Sequence, residues 1–248
     1  MAEPGFSDEA WLDVLCQRQR LDIVGDLTGG IAHQLNNALS VVTGYEELLL
    51  EALEDGPAAT REAHDELHTR ARTVHTWTRT ALSVARRLHE LAAHLRDQAG
   101  PVVANDLVSD TVELCRYRCE RENVLLISDL SADLPAIPAC PGDLLQVLTN
   151  LVYNAREAIG RTGEDGGTIR LTTTTAAGGV RIVVDDDGPG VVAGDVDRIF
   201  AVGVSAKTVP GSGFGLPVSR WIIQRSGGTL RAQAAEGGCF LIEWPATT

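Results

Sequence analysis

The sequence predicts a multidomain chain: an all-α helical hairpin over about 1–100, followed by an α+β two-layer sandwich over 101–248. Two observations carry this expectation. From Glu9 to Leu53 no proline occurs and apolar residues recur every seven positions, a pattern repeated before Gly100-Pro101. After Pro101 short β-rich runs, glycine-rich turns and helical stretches alternate irregularly, which suits a sheet with helices on one side.

In the first helix Val24, Ile31, Ala38 and Tyr45 form one row, with Leu27, Val41 and Leu48 beside it. Glu54-Asp-Gly-Pro57 stops the run. The second helix carries Leu67, Val74, Ala81, Leu88 and Leu95 in one row and Trp77, Val84 and Leu91 in the other. One apolar stripe per helix is too little core for a hairpin alone. The expectation is therefore a homodimer in which two hairpins close a four-helix bundle. Beyond Pro101 the spacing predicts a helix at 105–120, a strand at 124–130 and a helix at 143–159. Strands follow at 168–175 and 180–185, then a glycine-rich loop and a helix near 214–226. Strands near 229–233 and 239–244 complete the set, and the four late strands are expected to share a sheet.

A hydrophobic fraction of 44% supplies a real core. The net charge is −13: residues 1–100 hold 9 Arg against 16 Asp and Glu, and 101–248 hold 12 Arg and Lys against 18. Neither half is basic, which argues against nucleic acid as a partner. No apolar run approaches 18 residues, so no membrane segment is expected in this chain and the reading is cytoplasmic. Cys115 and Cys119 lie one helical turn apart and can share a metal in principle, but small apolar core residues are the better account. His64 and His68 share a helix face too. Their segment, His-Asp-Glu-Leu-His, misplaces the acid of a zinc motif, so a solvated face is expected.

Four segments carry chemistry. The first is Gly25-Asp-Leu-Thr-Gly-Gly-Ile-Ala-His33-Gln34-Leu-Asn-Asn37. His33 stands two positions after Ile31 of the seam and faces solvent. Glycines before it and asparagines after it weaken the helix, so something besides folding explains them. Imidazole is nucleophilic near neutral pH and forms a labile phosphoramidate. The second segment, Asp143 to Ile159, puts Asn150 and Asn154 one turn apart on a helix face, where amides are unfavourable without a role. The third, Asp185-Asp186-Asp187-Gly188-Pro-Gly190, is an acidic turn that is not an EF-hand. Read alone, it is equally a solvated loop. The fourth, Gly211-Ser-Gly213-Phe-Gly215-Leu, opens a helix whose backbone N–H groups can meet phosphate oxygens. Lys207, the chain's single lysine, precedes it.

In this order the four segments resemble the two-component sensor histidine kinases, whose ATP-binding domain is shared with gyrase-type and Hsp90-type ATPases. The resemblance implies ATP and Mg²⁺ as cofactors. It implies autophosphorylation of His33, then transfer to an aspartate on a response-regulator receiver domain. It gives Asn154 a Mg²⁺-binding oxygen, Asp186 the adenine amino group, and Gly188 and Gly190 close backbone approach. The phosphates fall to Gly211, Gly213 and Gly215, with Lys207 and Asn150 alongside. Asn37 matches a position that aligns water for receiver dephosphorylation. The family usually has an acid after the histidine, whereas Gln34 is not a base. A non-catalytic phosphotransfer scaffold and a receiver phosphatase therefore stand as alternatives.

Overall fold

A computed structural model describes residues 8–54, 60–94, 99–163, 165–201 and 214–245. Two long helices come first, α1 (Asp8–Glu54) and α2 (Arg61–His94). The rest runs β1 (Gly100–Val102), α3 (Ala104–Glu120), β2 (Val124–Leu130), β3 (Ile137–Ala139), α4 (Pro141–Gly160), β4 (Gly167–Ala176) and β5 (Gly179–Asp186). A 3₁₀ turn at Arg198–Phe200 precedes α5 (Gly215–Arg225), β6 (Thr229–Ala232) and β7 (Gly238–Trp244). The chain divides into two compact units, Asp26–Ala93 and His94–Thr248 together with Met1–Gly25.

In the helical unit the Thr60 hydroxyl accepts the Ala63 N–H at 3.2 Å and so caps α2. Arg70 donates to the Leu48 carbonyl at 2.8 Å, tying the returning helix to the first. Ile31, Ala38, Ala81 and Val84 of the predicted rows are buried. Tyr45, Leu48 and Trp77 of the same rows remain 36–42% exposed, so part of the stripe lacks cover within one chain. Residues 55–59, where the first run was expected to stop, and the side chains of Leu27, Leu88, Leu91 and Leu95 lie outside the described residues.

The second unit is a two-layer sandwich. Its five-stranded sheet has the order β2-β4-β5-β7-β6, with β2 parallel to β4 and the other pairs antiparallel. Alternation sorts the faces: Ile169 and Leu171, Val180, Ile182 and Val184, and Ile242 and Trp244 point inward. Against them α4 lays Leu144, Val147, Leu148, Leu151, Val152 and Ala155. The sheet has one strand more than the four late strands expected to share it, because β2 joins β4 at an edge. A small antiparallel pair, β1 with β3, was also not anticipated: each strand has three residues and contains proline, too short to show a period.

Residues 13–20 of α1 pack into this same unit. Leu15 and Cys16 enter its core. Gln146 of α4, only 3% exposed, donates to the Cys16 carbonyl at 3.2 Å and accepts from Arg20 at 3.3 Å, while Arg20 also pairs with Asp143. A buried amide with both ends bonded is cheap to bury and costly to leave half-bonded.

Leu148 is fully buried between α4 and the sheet. Leu148→Ala is expected to cost roughly 2–5 kcal/mol, read as a lower urea midpoint followed by circular dichroism.

Candidate active site

Helix α4 begins at Pro141, whose fixed φ suits a first turn, and presents one polar strip along an otherwise buried surface. Asn150 is 8% exposed and donates through Nδ2 to the Ser219 hydroxyl of α5 at 3.0 Å. One turn on, the Nδ2 of Asn154 is buried without a partner among the described residues. A further turn on, a Cβ placed on Gly188 would lie 2.8 Å from the Ala158 Cβ and 2.6 Å from the Asp186 Oδ1. The strip 150–154–158 therefore meets α5 at one end and the end of β5 at the other.

Of the three aspartates in the acidic turn, only Asp186 is buried, at 7% exposure. Its Oδ1 accepts the N–H of Gly188 at 2.8 Å and that of Gly238 at 3.3 Å. Burial pushes its carboxyl above the usual carboxylate range, the two backbone donors oppose the rise, and the neighbouring aspartates add to it. Asp187 plays a different part, accepting the Thr168 N–H at 2.7 Å and closing the β4–β5 ladder. Three glycines crowd Asp186. At Gly188, Gly237 and Gly238 a Cβ would collide with Asp186 itself, and Gly190 adopts φ +72 with the Ala235 carbonyl 2.5 Å from any Cβ. A Cβ at Gly215 would strike the Asn150 side-chain oxygen.

The cradle suits a ligand that donates a hydrogen bond to a buried carboxylate and lies against bare backbone. One turn from Asn150, the Asn154 side chain carries an amide nitrogen without a partner among the described residues and, beside it, a hard oxygen of the kind a divalent cation takes, so the residues fit a nucleotide with its divalent cation. Ser219, Gly237 and Gly238 were missed as site residues. Gly237-Gly238 is visible as a glycine pair, whereas nothing local marks Ser219. Lys207, Gly211 and Gly213 lie outside the described residues.

In the helical unit His33 is exposed, as are Asn36 and Asn37, and Gln34 is half-buried. Gly25, Gly29 and Gly44 have nothing within 4 Å of a Cβ position, so packing does not demand glycine there. His64 and His68 are exposed with their Nε2 atoms 3.1 Å apart. No group of three or more metal-ligating side chains occurs among the described residues. Cys115 and Cys119 are fully buried, and burial pushes the Cys119 thiol up to about 11 and Cys115 up as well, as befits core thiols. No helix among the described residues is long and apolar enough to cross a membrane. A cavity of about 640 Å³ lies elsewhere in the α/β unit, lined by Cys16, Arg20, Cys140, Asp143, Arg225 and Trp244. Its arginines are already paired, Arg20 with Asp143 and Arg225 with Asp13, and none of the nucleotide-site residues lines it.

A two-layer sandwich with a buried aspartate among glycines and an asparagine strip defines an ATP-binding domain. Residues 140–248 match the family described as histidine kinase-, DNA gyrase B-, and HSP90-like ATPase. The chain is 32% identical over 227 residues to the sensor histidine kinase ZraS of Escherichia coli (strain K12), covering 91% of this chain and 46% of that protein. It is 31% identical over 222 residues to the sensory histidine kinase/phosphatase NtrB of Klebsiella oxytoca, covering 83% and 57%. The chain thus spans about half the length of these curated relatives. The solved catalytic domain of histidine kinase ThkA superposes with a TM-score of 0.53 at 28% identity, covering 60% of this chain and 97% of that one. With its helical part preceding the ATP-binding domain, the chain belongs to the two-component histidine kinases, as their catalytic core.

The raised carboxyl of Asp186 has a sign that can be checked. An acid held above its unfolded pKa binds protons more tightly when folded, so it opposes folding increasingly as pH rises through that window. Asp186→Asn is expected to raise the thermal midpoint of the nucleotide-free protein at pH 7, by a margin that shrinks as pH falls toward 4. A scan of midpoint against pH checks this.

Proposed function

We propose that this chain is an ATP-dependent autokinase whose phosphoryl acceptor is His33 and whose onward partner is an aspartate of a response-regulator receiver domain. The observation that carries the nucleotide end is Asp186, a buried carboxylate held by two backbone N–H groups and walled by glycine. In this reading Asp186 accepts the adenine amino group, and Gly188 and Gly190 let backbone approach the base. Asn154 holds Mg²⁺ through its side-chain oxygen, with Asn150 beside it. Bound Mg²⁺ neutralises charge on the triphosphate. Gly211, Gly213 and Gly215 supply backbone donors, and Lys207 adds a cation.

At the acceptor end, an imidazole nitrogen of His33 attacks the γ-phosphorus. A P–N bond forms, the bond to the β–γ bridging oxygen breaks, ADP leaves and the imidazole N–H proton is lost. Protein assistance to such transfer is mostly positioning and charge neutralisation. Gln34 is not the base that takes that proton. A second reading, receiver phosphatase, is favoured by one observation: the Asn37 amide is exposed one turn from His33, where it can orient a water.

The functional division falls near residue 100, with 1–100 carrying the acceptor helix and 101–248 the nucleotide. Two copies pair through the uncovered stripe of Tyr45, Leu48 and Trp77, and the protein works in the cytoplasm.

Incubation with γ-labelled ATP and Mg²⁺ tests the assignment. Wild type should take up label and His33→Ala none, while Asn154→Ala should weaken ATP binding by calorimetry. Label persisting in His33→Ala defeats the acceptor assignment. Gln34→Glu should speed labelling roughly 10²-fold or more if a positioned base was lacking, without tightening ATP. Residues 1–100 alone should sediment as a dimer at tens of micromolar, an order-of-magnitude choice set by ordinary interface affinities.

A further inference from the structure

Ser219 belongs to none of the four chemistry-bearing segments, yet its hydroxyl is among the most buried polar groups of the chain, at 1% exposure. It accepts the Asn150 Nδ2 at 3.0 Å. That bond spends the donor end of the amide on α5 and turns the other end, Oδ1, against Gly215, four residues earlier on the same helix. Phe214, the residue capping α5, makes no side-chain cap bond, and Pro217 leaves one backbone N–H fewer to satisfy in the first turn. Ser219 and Gly215 thus form two jaws, one turn apart, that close on the Asn150 side chain. Each jaw has a distinct physical character: the serine bonds the amide, and the glycine leaves room for it.

We infer that Ser219 is a positioning residue for the metal end of the nucleotide site. It fixes the Asn150 amide in one orientation, and so registers the first turn of α5, at Gly215, against the strip that carries Asn154. The inference rests on the nucleotide-site reading proposed for this chain and adds to it a residue that touches neither ATP nor Mg²⁺. Without the hydroxyl, a buried N–H of Asn150 loses its acceptor, and such a group rotates toward whatever partner it can find. Adenine recognition at Asp186, at the far end of the strip, is independent of that rotation.

The experiment uses the full chain with calorimetric ATP affinities measured with and without Mg²⁺, alongside the thermal midpoint. Ser219→Ala is expected to weaken ATP binding about tenfold in Mg²⁺, with less than a twofold change in its absence and a folded protein. Gly215→Ala attacks the same amide from the opposite jaw. Its φ is not in the left-handed region and the three atoms nearest a Cβ there all belong to the Asn150 side chain, so it should reproduce the Mg²⁺-dependent loss. The double variant should be no worse than either single one, because both act through one side chain. Unchanged affinity in Ser219→Ala, equal losses with and without Mg²⁺, or additive losses in the double variant would each overturn the inference. Should Ser219→Ala not fold, Ser219→Cys, which keeps the side-chain volume but offers only a weak acceptor to Asn150, takes its place and is judged by the same two outcomes. Asn154→Ala separates the two layers: if it keeps full Mg²⁺ dependence the site reading itself fails, whereas loss there with none in Ser219→Ala refutes only the role of Ser219.

Discussion

Taking a carboxylate out of water at the end of a central strand requires every neighbouring element to answer for it. β5 is the middle strand of five, and its register sets Asp186 opposite Gly238 on one side and Ile169 on the other. A slip of one residue would turn Asp185 inward and the whole apolar row outward. The ladder that orders the core is therefore the same ladder that aims the acid. Two N–H groups replace part of the lost hydration, one from the turn after β5 and one from the start of β7. Backbone can come that close only where side chains are missing, which explains why glycine occupies 188, 237 and 238 together.

α4 is the second organising element because it serves the core and the site with different faces of one helix. Its leucines and valines close the sandwich, while Gln146, Asn150 and Asn154 stand at successive turns along its polar side. The first two amides are bonded to neighbouring helices, Gln146 to residues 16–20 of α1 and Asn150 to Ser219 of α5. Of the three, only Asn154 keeps a buried amide nitrogen without a partner among the described residues. Among three chemically similar groups on one helix, bonding distinguishes two that tie α4 to its neighbours from one whose amide nitrogen they leave unpaired among the described residues.

Local pattern made most elements legible. The strand read at 124–130 and the helix read at 105–120 appear as Val124–Leu130 and Ala104–Glu120, because an alternating or helical apolar period survives in a single segment. Pairing did not. Nothing in 124–130 says that it runs parallel beside β4 across the intervening α4, and three-residue strands with proline, such as Ile137–Ala139, have no period to read. At the site, glycine spacing singled out Asp186 among three adjacent acids, and in the fold it is the one buried while Asp187 stitches the ladder. Ser219 was invisible for the converse reason: its importance lies in a contact 69 residues away in sequence, and a serine in an amphipathic helix carries no local mark.

The glycines of α1 behave unlike those around Asp186. Gly25, Gly29 and Gly44 face open space, so each gives up about 1 kcal/mol of helix preference relative to alanine and gains no packing in return. Helix preference along these 47 residues is therefore uneven. It is weakest one to two turns before His33 and again three turns after it, so the stretch that carries the imidazole is bracketed by the least favourable positions of its own helix.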